Sequence, residues 1–272
     1  DADGAGLGAR TTIATLTERA VVTDLSDLAV ASCGSFAGVS TSAVSCMRLA
    51  GAADGTVRFA YADRMSVVHV LSIDTTGRRF GRELTTAGTD VRAVHAYADG
   101  DVAVLVLRGI VLTLVRFAPD GTVRFERGHV GTMGMAAAGT RWGHSSIRGA
   151  ALADTGPNLA VYASVGGNFG AQGIHQGDHL RMVNAAGVQQ TGGWEWGCSH
   201  SLDLRLAQGA GPLAPVCLAD AYPRPGIVLN NRTQLVPAPG WMQGGSISSG
   251  WASRAVIPIL GGLVPDGAGY YV

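Results

Sequence analysis

The sequence predicts an all-β chain built from repeated four-stranded units, on three observations. Five arginines, Arg48, Arg92, Arg148, Arg205 and Arg254, each close a short segment that opens a run of β-type residues. The segments are Ser45-Cys-Met-Arg48, Thr89-Asp-Val-Arg92, His144-Ser-Ser-Ile-Arg148, His200-Ser-Leu-Asp-Leu-Arg205 and Trp251-Ala-Ser-Arg254. Their spacings of 44, 56, 57 and 49 residues fall in the range of one four-stranded propeller blade. Between the arginines, short apolar runs alternate with Asp-Gly turns, the pattern of an antiparallel meander. The 40 glycines and 10 prolines are spread along the chain, and helical periodicity is weak throughout. The expectation is a β-propeller of four-stranded antiparallel blades, with an axis, a central channel and two unequal faces.

The elements follow in order. Unit one, approximately 44–88, is expected to place strands at Arg48–Gly51, Thr56–Tyr61, Ser66–Ile73 and Arg79–Leu84, with turns at Ala53-Asp-Gly55 and Thr75-Thr-Gly77. Unit two, 89–143, gives Val91–Tyr97, Val102–Leu107, Ile110–Phe117 and Thr122–Glu126, with turns at Ala98-Asp-Gly-Asp101 and Pro119-Asp-Gly121. Unit three, 144–199, gives Ser146–Leu152, Asn158–Val165, His179–Asn184 and Val188–Glu195. Unit four, 200–249, gives Ser201–Leu206, Ala214–Leu218, Gly226–Leu229 and Thr233–Val236. Unit five, 250–272, holds two candidate strands, Ala255–Leu260 and Gly269–Val272. Residues 1–43 offer Thr11–Leu16 and Leu28–Ala31 to complete it and close the ring, which removes exposed sheet edges. This gives one domain and a count of five blades. Six is the rival count, with 1–43 as a whole blade, and a larger ring holding this chain as a fragment stays open.

Composition bounds the function. Formal charge is zero and the calculated isoelectric point is near 7.2, so the basic surface that neutralises phosphates is lacking and nucleic acid is not expected as a partner. All 20 basic residues are arginine, which excludes Schiff-base and P-loop lysine chemistry. The longest apolar stretch, Val102–Val115, is broken by Arg108 and Gly109 and falls short of the roughly 20 residues of a membrane span. Four cysteines form two local pairs in sequence, Cys33 with Cys46 and Cys198 with Cys217. Two disulfides and an oxidising compartment are the expectation, with buried free thiols as the alternative. The Asp-Ala-Asp-Gly-Ala-Gly start suits a mature terminus left after processing, and a secreted, cell-surface or periplasmic location is inferred.

In a meander of strands a, b, c and d, the b–c and d–a connections share one end and the a–b and c–d turns share the other. The Asp-Gly turns fall on the second end. The chemically unusual connections fall on the first: Trp142-Gly-His144, Gly166 through His179, Trp194-Glu-Trp-Gly-Cys-Ser-His200, Asp220-Ala-Tyr222-Pro-Arg224 and Trp241 through Trp251. All five tryptophans and four of the seven histidines thus map to one rim. Trp142, Trp194 and Trp196 are candidate stacking platforms, with packing between blades as the structural alternative. Asn168, Asp178, Asp220 and Arg224 are candidate polar contacts. His144, His175 and His200 are a candidate set for a divalent metal such as Zn, Mn or Ca, and His144, His200 and Tyr222 are candidate catalytic groups. The repeat arginines and Asp90 are expected to be structural, bonded to nearby carboxylates or to carbonyls of the adjacent unit.

The repeated units together with the Trp/His rim resemble secreted bacterial β-propellers, across residues 44–260 and at the level of architecture. Propellers of this shape include sugar-binding lectins and glycosidases. The resemblance implies an extracellular module that binds a glycan or similar polar ligand on the rim. The alternatives are a metal-assisted polysaccharide lyase or glycoside hydrolase on the same rim, and a structural or adhesive ring that contacts another protein.

Overall fold

A computed structural model describes residues 23–31, 47–109, 111–128, 142–144, 150–168, 174–207, 213–222, 226–229, 233–237, 264–266 and 269–271. Every regular element among them is a β-strand. The first sheet runs β1 (Met47–Gly51), β2 (Val57–Ala62), β3 (Val67–Ile73) and β4 (Arg79–Ala87) in that order, all antiparallel. The second repeats it with β5 (Asp90–Ala96), β6 (Val102–Arg108), β7 (Val111–Phe117) and β8 (Val123–Gly128). These eight strands match the sequence expectation to within a few residues.

The turn chemistry explains why. Five hairpins use one device: the N–H before the turn donates to the carbonyl four residues on, and a glycine with positive φ stands just before that acceptor. The pairs are Ala52–Thr56, Asp74–Arg78, Tyr97–Asp101, Ala118–Thr122 and Asn184–Val188, at 2.8 to 3.0 Å. At the first, third and fourth of these turns an aspartate inside the turn, Asp54, Asp99 or Asp120, accepts the backbone N–H two residues on. Gly187 shows what the glycine does besides turning. Its φ is 77°, and a Cβ there would sit 2.7 Å from the Phe125 ring. The turn after the third unit's third strand therefore lies directly on β8 of the unit before. Arg82 of β4 meets Asp120 and Gly121 in the same way one unit earlier.

The third sheet is larger. It orders β10 (Ala150–Asp154), β11 (Asn158–Asn168), β12 (Ile174–Asn184), β13 (Gln189–Ala207), β14 (Ala214–Tyr222), β15 (Gly226–Leu229) and β16 (Thr233–Pro237), with β9 (Trp142–His144) on the far part of β11. Two strands expected to be separate, Val188–Glu195 and Ser201–Leu206, are one 19-residue strand. Its first part pairs with β12 and its second with β14. Register shifts beside Gly177, Leu180, Ser199 and Ser201 turn the strand between those partners, so units three and four share a continuous backbone.

Packing is layer on layer. Ala60, Val68 and Val70 of the first sheet meet Val91, Val104 and Val106 of the second. On its other face the second sheet gives Ala93, Leu105 and Leu114 to Leu159, Val161 and Ala163 of β11. Ala160, Tyr162 and Leu180 then pack on Leu204, Cys217 and Val228 of β13–β15. This accounts for β6, whose Val102–Leu107 run is buried at every position: alternate side chains enter two different cores. The first strands of successive units lie together, β1 against β5, β5 against β10 and β10 against β13. Arg48 Nε donates to the Arg92 carbonyl at 2.9 Å, and Arg92 Nε pairs with Asp90 at 2.8 Å, both side chains 5% exposed. Arg48 thus holds the first unit to the second, while Arg92 pairs with a carboxylate of its own strand. Arg148 and Arg254 lie outside the described residues.

Two expectations are corrected. Leu28–Ala31 is not a strand. Val30 makes a single bridge to Asp63, and Leu25, Leu28 and Val30 pack with Phe59, Tyr61, Leu71 and Ile73 on the face of the first sheet turned away from the second. The expected C-terminal strand Gly269–Val272 is present as β18 (Gly269–Tyr271), paired with β17 (Val264–Asp266). The local pairing of Cys198 with Cys217 fails on register, because Cys217 stands opposite Leu204, six residues along β13 from Cys198. That is about 20 Å of strand, against the 4.4–6.8 Å between Cα atoms that a bridge needs. Cys33, Cys46, Thr11–Leu16 and Ala255–Leu260 lie outside the described residues.

Tyr97 links this packing to pH. It is 9% exposed, stacks edge-on against His95 at 4.7 Å and lies 3.9 Å beneath the Arg116 guanidinium. Burial raises its phenol to about 12, although Arg116 pulls the other way. The unfolded chain loses this proton near 10 and the folded chain near 12, so folding stability should fall as pH rises between those values. We expect a loss of about 2 kcal/mol over that interval, abolished in Tyr97→Phe, as read by urea unfolding at stepped pH.

Candidate functional site

The third sheet differs from the first two in strand length, and the extra length is all at one end. β11 and β12 have 11 residues each and β14 has 9, whereas the strands of the second sheet have 6 or 7. Segments expected to be loops, Gly166–His179, Trp194–His200 and Asp220–Tyr222, are mostly paired strand here. The reason is mutual: each projecting strand satisfies the backbone groups of its neighbours, which an isolated loop rich in Gly would leave to water.

Backbone register sets the predicted residues in two rows across this end. Trp142 pairs with Gly167, which pairs on its other side with His175. His144 pairs with Val165, Val165 with Gly177, Gly177 with Ser199 and Ser199 with Tyr222. His200 follows Ser199 directly, and Asn168 ends β11 opposite Ile174. Trp196 lies in β13 and Asp220 in β14 at the same end. Five strands from distant parts of the sequence thus carry Trp142, His144, Asn168, His175, Trp196, His200, Asp220 and Tyr222 to one edge of one sheet. Arg224 lies outside the described residues, as do Trp241 and Trp251.

Beneath this edge the side chains form a buried polar cluster. The Tyr162 hydroxyl donates to Asp178 Oδ2 at 2.6 Å, and the aspartate is 2% exposed. Burial first, and then the Asp178 charge, push the Tyr162 phenol well above its ordinary value, so it stays protonated as a donor. Tyr162 also packs against Trp194, with ring centroids 5.8 Å apart. Trp194 is held from behind. Arg181 donates to the carbonyls of Leu180 and Trp194 at 2.6 and 3.0 Å and to His179 Nδ1 at 3.3 Å. A Cβ on Gly193 would fall 2.4 Å from the Leu180 carbonyl, so only glycine lets β13 come this close to β12 just before the tryptophan.

Two predicted contacts are therefore corrected. Asp178 faces Tyr162 in the interior and does not present a carboxylate to an external ligand, because its strand position puts it on the core side of β12. Trp194 is half-buried on the same core, and its ring fills the space between two layers instead of standing clear on a loop. Sequence reasoning missed Tyr162 and Arg181. A buried tyrosine needs a partner for its hydroxyl, which was the available signal, but only the β11–β12 register shows that the partner is Asp178.

Among the described residues no group of three or more His, Cys, Asp or Glu side chains is arranged to hold a metal. The side chains of His144, His175 and His200 are outside that description. No helix among the described residues is long and apolar enough to cross a membrane.

No protein-family model matches the chain, and no curated protein is significantly similar to it. Solved structures that resemble it include the extracellular domain of a putative hybrid two-component system from B. thetaiotaomicron, at 11% identity and a TM-score of 0.33. That match covers 68% of this chain and 27% of the other, so this chain spans about a quarter of that protein's length. Another is a protein from Lactobacillus plantarum, at 12% identity and a TM-score of 0.29, covering 69% of this chain and 70% of that one.

Proposed function

We propose that the chain is an extracellular β-propeller module that binds a glycan or similar polar ligand at the projecting edge of its third sheet. The observation that carries this reading is the pair of register rows that sets Trp142, His144, His175, Tyr222 and their neighbours side by side at one end. Sugar rings present apolar faces to aromatic side chains and hydroxyls to polar ones. Trp142 and Trp196 supply the first kind of contact, and Asn168, Asp220, Tyr222 and Arg224 the second. The layered sheets, with first strands adjacent throughout, support a toroidal arrangement of five units about an axis. Secretion is part of the same reading.

A glycan array probed with the wild-type chain and with Trp142→Ala/Trp196→Ala tests it. Binding to a defined glycan class, reduced at least tenfold in the double variant while the melting temperature stays put, is the expected result. An equal signal from both proteins, or none from either, overturns it.

The shared β11 neighbourhood of His144 and His175 favours metal-assisted lyase or hydrolase chemistry as a second reading, with His200 as third ligand and Tyr222 as acid. Elemental analysis of the purified protein separates the two. Stoichiometric zinc, manganese or calcium, lost in His144→Ala/His200→Ala, supports the second; a metal-free protein that binds glycan leaves the first.

A further inference from the structure

The side chain that meets Tyr97 edge-on is itself titratable. His95 stands on β5 two positions before Tyr97, so both project, with Ala93, from the face of the second sheet turned to the third. β10 lies against β5 there: its Ala150 and Leu152 pack on the same core, and Asp154 comes next on that face at the end of the strand. The His95 Nε2 atom is buried and has no hydrogen-bond partner among the described residues. A neutral imidazole fits such a place with its proton on Nδ1 and Nε2 left as an unused acceptor. An imidazolium does not, because it buries a positive charge and an N–H that nothing receives. We infer that His95 is an acid-sensitive joint between the second and third units: the neutral ring packs the β5–β10 contact, and a proton on Nε2 loosens it.

The groups around the ring set the sign. Burial comes first and holds the imidazole below its ordinary value; the Asp154 carboxylate opposes this from the third unit, and the Arg116 guanidinium reinforces it from β7. Asp154 is fixed where it stands, since its Oδ1 accepts the Gly156 N–H at 2.8 Å. Arg116 lies in the same row of the second sheet, His95 pairing with Ala103 and Ala103 with Arg116, and its charge is shared with Asp99 and Asp101. His179 and Arg181 pair with Ala163 and Val161, which puts them on the same face of the third sheet, two strands from β10. The other face of β5 turns Val91 and Val94 to Ala60 and Ala62 of β2. An unfolded imidazole takes up its proton near 6.5, and the folded one only below that. The unfolded chain therefore binds more protons as pH falls through 6.5, and stability falls with it.

The joint is independent of any ligand. Histidine proton spectra of the folded protein, followed through a pH titration, read the imidazole directly. The His95 midpoint should lie below 6.5. Asp154→Asn keeps an oxygen to accept the Gly156 N–H but removes the opposing charge, and it should lower that midpoint further. Between about pH 7.5 and 5.5, above the carboxylate range, the folding constant from urea unfolding should fall at least about threefold more in the wild type than in His95→Phe. Amide exchange, corrected for its intrinsic pH dependence, locates the effect. Asp90–Ala96 and Ala150–Asp154 should open at least about threefold more at the acid end of that range, while Val57–Ala62 and Val67–Ile73 of the first sheet stay unchanged. A His95 midpoint at or above 6.5, equal losses in wild type and variant, or an even rise in exchange across all sheets overturns the joint. If His95→Phe does not fold, His95→Gln takes its place, and the titration of the wild type needs no variant.

Discussion

Replacing Asp101 by alanine should cost about 4 kcal/mol of folding stability, among the largest effects of any single polar substitution in the described part of the chain. The Asp101 side chain is fully buried and accepts from two arginines on two further strands, Arg116 Nε at 2.7 Å and Arg124 Nε at 2.6 Å. It therefore joins the β5–β6 turn to β7 and β8 at one point. Arg116 also lies over Tyr97, so removal of the carboxylate leaves a cation with an aromatic face and the solvated Asp99 for partners. Asp101→Asn keeps the shape and loses the charge, and about half the effect is expected. Asp99 is the control. It meets the same Arg116 at 3.3 Å but is 59% exposed, and Asp99→Asn, which keeps an oxygen to accept the Asp101 N–H, should cost less than about 0.5 kcal/mol. Urea unfolding of the three variants measures the series, and equal costs for Asp99→Asn and Asp101→Asn would sink the account.

The second large effect is expected at Tyr162 and Asp178. Tyr162→Phe removes a 2.6 Å hydrogen bond to a carboxylate that is 2% exposed, and we expect a loss of about 2 kcal/mol. Asp178→Ala should cost about 3 kcal/mol, because it adds a cavity to the same loss. The double variant should cost less than the sum, which a thermodynamic cycle reads directly. The pair also separates structure from function. With Asp178 facing the core, Asp178→Asn should leave glycan affinity within about twofold once the protein is folded. A tenfold loss of affinity at unchanged stability would return Asp178 to the binding surface.

How far the sequence speaks is shown by particular residues. The hairpins at Asp54-Gly55, Asp99-Gly100 and Asp120-Gly121 were legible because their cause is local: a carboxylate bonding two residues on and a glycine free to take positive φ. Alternating and continuous apolar runs likewise placed the strands of units one and two within a few residues. The Arg48 and Arg92 roles followed from repetition, since a charge recurring once per unit answers to the repeat and not to a single site. The candidate edge was legible only as a cluster of unusual residues.

What the sequence by itself determined was the class of element, the positions of the turns and the existence of repeated units, because each depends on residues within about five positions of one another. Tertiary structure alone decided that Trp194–His200 is strand, that Asp178 holds Tyr162 in the interior, and that Cys198 cannot reach Cys217. Those facts depend on strand register and bulges, which shift a residue to the opposite face or by many ångströms without any change in local composition.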